Sequence, residues 1–282
     1  MLKADWNCKK LLFCQPSKGI EVYYHGYTYE INHFMALAQQ YCEIETLPMW
    51  DIWMRDFMPI PMSNGFLLFQ YLPNYQTKKE SYESQKAVRH FFPNLVQQKI
   101  ILDGGHLVFN SKGIGILTEH VLMLNHSPRS VLESKILQMT GLKQIVWLPW
   151  NSDDITGHAD GFCQFLTDDI LCVNDDRNKD SMTKAYYEKC VEILHNQCPQ
   201  IQLVPIPCQY DARCCRGFPS CCGIYTNFVQ VEKALFVPTY NLKLDSLVLR
   251  QFESITDKPV VPVCIENTAL HGGSLHCLTR NV

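Results

Sequence analysis

Gly157-His158-Ala159-Asp160-Gly161 stands directly before an apolar run, Phe162-Cys163-Gln164-Phe165-Leu166. At strand spacing, residues i and i+2 share a face, so His158 and Asp160 are expected to point the same way from the edge of a sheet. The flanking glycines let the backbone approach a ligand closely. One proton carrier and one fixed negative charge then lie on the same side of one strand end. Outward from this stretch, further polar landmarks recur at Asp56, at Asp103 before Gly104-Gly105, at Asn227, and at Cys277 after Gly272-Gly273. Their intervals are roughly 50 residues, somewhat longer between His158 and Asn227. A period of that size points to repeated units, as in propeller-like rings. Each unit would deliver one polar strand end to a shared centre.

The segments between the landmarks alternate short strands with helices, which predicts an α/β arrangement. Strands are expected at residues 11–13, 21–24, 43–47, 66–71, 99–102, 107–109, 115–118, 121–124, 144–148, 202–204 and 260–263. Helices are expected at 29–41, 82–92, 128–139, 182–195 and 243–252. Hairpins are read at 162–173 and 226–237, and a long irregular segment at 208–223. Trp50, Asp51, Trp53, Arg55 and Asp56 do not make a simple core strand, and Pro59 ends regular pairing there.

The 282 residues are 46% hydrophobic and 19% charged, enough for a large core, and no linker divides them, so residues 1–282 are read as a single domain. A net charge of -3 is too small for a nucleic-acid surface. No stretch approaches the about 18–20 apolar residues of a membrane span, and Leu11-Leu12-Phe13-Cys14 is too short for a signal-peptide core. A cytoplasmic protein is expected. Its 14 cysteines are then small buried apolar residues for the most part, with one special thiol among them.

Taken in order, Trp53-Met54-Arg55-Asp56, Asp103-Gly104-Gly105, Gly157-His158-Ala159-Asp160-Gly161, Tyr225-Thr226-Asn227-Phe228 and Gly272-Gly273-Ser274-Leu275-His276-Cys277 resemble the motifs of the agmatine deiminase family. That family includes the bacterial peptidyl-arginine deiminases and belongs to the guanidino-group-modifying enzymes. The resemblance runs from about Met49 to the end of the chain. It implies a pentein-like fold, a five-fold pseudosymmetric α/β propeller, and hydrolysis of a guanidino group with release of ammonia, as from agmatine to N-carbamoylputrescine. Cys277 would be the nucleophile and His158 the acid and base, oriented by Asp103. Asp56 and Asp160 would hold the guanidinium in fork geometry. Trp53 would lie over the guanidinium or its stem, and Asn227 would line the site. No metal and no organic cofactor is implied. The partner is a small guanidine or the arginine side chain of a peptide, with no nucleic acid and no membrane.

The family usually carries glycine at Met58 and glutamate at Asp103. The shorter Asp103 side chain is expected to reach His158 through a backbone shift or a water. A chain shorter than most agmatine deiminases suggests a trimmed rim, which favours a larger substrate such as peptidyl arginine. The segment Cys208 to Cys222 holds five cysteines without a matching pair of C-x2-C motifs, so it is read as a cysteine-rich rim loop rather than a zinc site, with Arg213 or Arg216 meeting a substrate carboxylate. Other readings are a papain-like or amidotransferase hydrolase, an amidine transferase, and a binding module. The first has no need of two further carboxylates around the substrate carbon, and intact Asp56, His158, Asp160 and Cys277 argue against the last.

Overall fold

The structure is a computed structural model describing residues 1–15, 27–151, 154–209 and 211–282. Its strands form five three-stranded sheets of one pattern, plus a small hairpin. In each sheet the first strand runs antiparallel to the second, and a helical crossover lays the third parallel to it. One sheet is Ile60–Met62, Gly65–Gln70 and Leu95–Ile101, with helices Lys78–Lys86 and Val88–Phe91 in its crossover. The next is Val108–Phe109, Ile114–Thr118 and Gln144–Leu148. Cys163–Phe165, Ile170–Asp175 and Gln202–Pro207 follow, bridged by Ser181–Gln197. Val229–Val231, Ala234–Thr239 and Val260–Cys264 make the fourth, bridged by Asp245–Ile255. The fifth joins chain ends: Thr279–Asn281 pairs antiparallel with Lys10–Cys14, which runs parallel to Glu43–Leu47 across helix Tyr27–Ala38.

Burial grades across each sheet. Central strands such as Ile114–Thr118 are buried throughout, as expected of strands covered on both faces. First strands are also buried, as in Cys163–Phe165, Val229–Val231 and Thr279–Asn281. Third strands carry the exposed positions, as in Glu43–Leu47 and Val260–Cys264. Helix Tyr27–Ala38 sets Ile31, Phe34 and Ala38 on the core, where Phe34 meets Phe13 at 5.2 Å and Phe236 at 5.4 Å edge-on. Met58 is 3% exposed and packs in the same core. Among the described residues no helix is long and apolar enough to cross a membrane.

Several elements depart from the sequence reading. The strand expected at 121–124 is part of helix His120–Asn125, because a short apolar run carries no period of its own. The helix expected at 82–92 starts earlier and breaks, since Thr77 and Glu80 form a capping box at 77–80. Residues 54–57 are helical and strand Ile60–Met62 starts directly after Pro59. The irregular segment contains a hairpin, Cys214–Cys215 with Phe218–Pro219. Its turn residues Arg216 and Gly217 have φ of 53° and 86°, the double positive that a tight two-residue turn requires. The strand expected at 21–24 lies outside the described residues.

Candidate active site

Every landmark lies in the segment leading into the first strand of a sheet. Asp56 is in helix Met54–Phe57 ahead of Ile60–Met62, and Asp103 precedes the 3-10 turn Gly104–His106 ahead of Val108–Phe109. His158 and Asp160 flank the start of the turn Ala159–Gly161 ahead of Cys163–Phe165. Asn227 precedes Val229–Val231, and Cys277 is in helix Leu275–Leu278 ahead of Thr279–Asn281. The interval read from the sequence is the length of one sheet with its crossover. These short segments touch: Met54–Phe57 packs on Leu275–Leu278 and on Gly104–His106, which packs on Ala159–Gly161.

The strand geometry expected for His158 and Asp160 is corrected: a 3-10 turn, not a strand edge, presents them. They nevertheless meet one point. A Cβ at Gly105 would lie 2.5 Å from His158 Nδ1 and 3.1 Å from Asp160 Oδ1. Gly105→Ala is therefore expected to push the imidazole aside and to cost about 1–3 kcal/mol by overpacking, read as a lowered thermal midpoint.

Asp56, His158, Asp160, Asn227, Cys277 and Trp53 all line one cavity of about 800 Å³. Asp103 stands behind it, 1% exposed, and reaches the cavity through His158. Its Oδ2 is 3.2 Å from His158 Nε2, so the contact is direct despite the shorter side chain, and no bridging water is required. On the other side of the ring, His158 Nδ1 is 3.7 Å from Asp56 Oδ1, which also accepts the Gly105 amide at 3.3 Å. Asn227 Oδ1 accepts the backbone amides of His276 and Cys277 at 3.1 and 3.4 Å, so that oxygen holds the cysteine segment rather than a ligand.

The cavity is electrostatically negative. Six of its lining residues are acidic, Asp51, Asp56, Glu80, Asp154, Asp160 and Asp176, against Lys179, Arg216 and the protonated His158. Burial, with Asp103, Asp160 and Asp51 nearby, pushes the Asp56 carboxyl up to about 7, although His158 opposes the shift. Burial also raises Asp103, against its hydrogen bond to His158. Asp160 is lowered: burial works to raise it, but the hydrogen bond and charge of His276 outweigh that. Burial alone would lower His158, yet Asp56, Asp103 and Asp160 raise it to about 10. The Cys277 thiol is pushed well above its ordinary range by burial and by Asp160 and Asp56.

The His158 shift has a stability consequence. Between the usual value of 6.5 and about 10 the folded state holds a proton that the unfolded state has lost. The stabilisation is full below 6.5 and disappears as pH rises through about 10. The thermal midpoint of the wild type should therefore fall more steeply over this window than that of His158→Gln. Parallel slopes would contradict the cause assigned to the shift.

Asp103, His106 and His158 place one ligand atom each within 4.8 Å of one another. His106 Nδ1 is occupied, however, accepting the Asp103 amide at 3.0 Å, and its Nε2 faces the Thr156 carbonyl at 3.1 Å. That leaves the ring no lone pair for a metal.

The Trp53 ring packs against Gly273, where a Cβ would be 2.3 Å from it, and Trp50, 59% exposed, stands at the rim. The cysteine-rich hairpin does form part of the wall through Cys215, Arg216 and Phe218. Phe218 meets Tyr75 edge-on at 5.1 Å. Arg213 is absent from the wall and pairs with Asp211 at 2.8 Å. Tyr75, Asn174 and Asp176 were not singled out in the sequence; they lie on a loop and at a strand end between landmarks, with no motif to mark them. Asn174 Oδ1 and Asp176 Oδ1 are buried in this wall and have no hydrogen-bond partner among the described residues.

The fold belongs to a class of known structures. C. jejuni agmatine deiminase superposes with a TM-score of 0.82 over 99% of this chain and 95% of that one, at 22% identity. DDAH from Pseudomonas aeruginosa superposes with a TM-score of 0.63 over 98% and 100%, at 12% identity. Within that class, residues 20–282 match the Porphyromonas-type peptidyl-arginine deiminase model, and the chain belongs to that family. Agmatine deiminase of Pseudomonas fluorescens Pf-5 is 27% identical over 212 residues, which is 64% of this chain and 56% of that protein. The chain thus spans little more than half the length of the curated relatives it matches.

Proposed function

We propose that this protein hydrolyses a guanidino group, releasing ammonia through a covalent thiouronium on Cys277. The observation that carries the proposal is the convergence of Cys277, His158, Asp56 and Asp160 on one acidic cavity. In this reading Asp56 and Asp160 accept the paired N–H groups of the guanidinium and aim its carbon at the thiol, with Trp53 beside the stem. The cation favours the Cys277 thiolate, which attacks the carbon. His158, held by Asp103, gives its proton to the departing ammonia. The neutral ring then takes a proton from water as that water attacks the thiouronium, and the thiolate leaves. The product is a ureido group. The five sheets would surround this cavity as a five-fold pseudosymmetric α/β propeller, with residues 1–282 as one domain. All 14 cysteines are free, which suits a reducing compartment such as the cytoplasm.

Agmatine is the preferred substrate in this reading, giving N-carbamoylputrescine. The unpartnered Asn174 Oδ1 and Asp176 Oδ1 favour a guanidine that carries a second hydrogen-bond donor, as the agmatine ammonium does. The backbone amides of a peptidyl arginine offer the same kind of donor, so conversion of peptidyl arginine to citrulline is the second reading. An amidine transferase would share the first half of the chemistry and replace water with an amine. Ammonia release is measured from agmatine, free arginine and an arginine-containing peptide side by side. Release from agmatine is expected; release from the peptide alone would select the second reading, and release from none would overturn deimination.

A further inference from the structure

His276 lies beside the nucleophile in sequence, yet it does not line the cavity. Each of its ring nitrogens faces a carboxylate. Nδ1 is 2.7 Å from Asp160 Oδ2, and Nε2 is 3.2 Å from Asp5 Oδ2. The same Asp5 oxygen pairs with Arg55 Nη1 at 3.2 Å. Arg55, 2% exposed, donates from Nε to the His276 carbonyl at 3.3 Å and from Nη2 to Asn281 Oδ1 at 2.8 Å. A chain of paired polar groups thus runs from Arg55 through Asp5 and His276 to Asp160. Buried charges of this kind are costly unless each is paired in good geometry, so the arrangement fixes where every member sits.

The member that reaches the cavity is Asp160. Its Oδ2 is committed to His276, and its Oδ1 lies toward His158, across Gly105. We infer that His276 and Asp5 are positioning residues that hold the Asp160 carboxylate with one oxygen turned to the guanidinium. The first turn of the chain, Asp5–Asn7, is then part of the site's support as well as of the fold. The inference rests on the deimination reading, in which Asp160 grips the substrate. A network that merely fastened the N-terminal segment to strand Thr279–Asn281 would make a different prediction, and two isosteric variants separate them. In His276→Asn the side-chain amide replaces the Nδ1 donor to Asp160. In His276→Gln it reaches instead toward Asp5, and Asp160 loses its partner.

The test measures KM and kcat for ammonia release, the Kd for agmatine in a Cys277→Ser background, and the thermal midpoint. His276→Gln is expected to raise KM and Kd about ten- to hundredfold, the scale for a misplaced binding group, with a smaller change in kcat. His276→Asn should recover most of that loss at a similar thermal midpoint. Asp5→Asn, which keeps shape and removes charge, should raise KM in the same direction and gives a second variant should either His276 change fail to fold. Equal KM in His276→Gln and wild type, or equal losses in His276→Gln and His276→Asn, would overturn the positioning role while leaving deimination intact. Absence of both turnover and agmatine binding in the wild type would overturn the deimination reading and this role with it.

Discussion

Cys277→Ser is expected to lower ammonia release by about 10⁴-fold or more while agmatine still binds. The large loss follows from the proposed role: a hydroxyl at this position cannot form the thiouronium. Binding is expected to survive because Asp56 and Asp160, the proposed holders of the guanidinium, are untouched. Cys215 and Cys221 also line the cavity, so each serves as a control. Their serine variants should keep turnover within a few-fold of the wild type. The free thiol is raised by burial and by the two carboxylates, so it resists alkylation in the empty protein at neutral pH. Filling the cavity with a guanidinium that cannot react should increase the ultraviolet absorbance of thiolate in the wild type and not in Cys277→Ser. Turnover retained in Cys277→Ser, or lost in Cys221→Ser instead, would place the chemistry elsewhere.

His158→Gln is expected to reduce kcat by about 10²–10⁴-fold, the usual contribution of a general acid and base. Glutamine can keep a hydrogen bond toward Asp103 but cannot carry a proton at neutral pH. KM for agmatine should change little, because the carboxylates proposed to hold the cation remain. Asp103 does not line the cavity and acts on the ring from behind, at 3.2 Å, so Asp103→Asn should be milder and should move the pH profile. With that carboxylate gone His158 loses one of the charges that raise it, and the limb of the profile set by the ring shifts to lower pH. A kcat within tenfold of wild type in His158→Gln would remove His158 from the proton transfers.

The cavity was legible in sequence because its residues recur in lead-in segments of sheets that repeat one length. The glycines beside them mark close packing. A side chain at Gly105 would collide with His158, and one at Gly273 with Trp53. What sequence could not supply was partnership across the chain. Asp5 and His276 are 271 residues apart and carry no shared motif. Arg55 was read as part of an unusual run and of a motif, with no role of its own, although its guanidinium is tied to Asp5 and Asn281. The direct Asp103–His158 contact depends on how closely two turns pack, which side-chain length alone does not decide. Val121–Leu124 misled because four apolar residues fit a strand or a helix equally well, and the helix is set by its neighbours. The sheet made from Lys10–Cys14 and Thr279–Asn281 was missed for a related reason, since pairing between distant segments leaves no local signal.

Covalent capture on Cys277 distinguishes a thiouronium route from any other. Wild-type protein turning over agmatine is quenched in acid, digested and mapped by mass spectrometry. A substrate-derived amidine adduct is expected on the peptide that contains Cys277 and on no other cysteine. Ammonia release with Cys277 unmodified throughout turnover, or an adduct on a different cysteine, would contradict it.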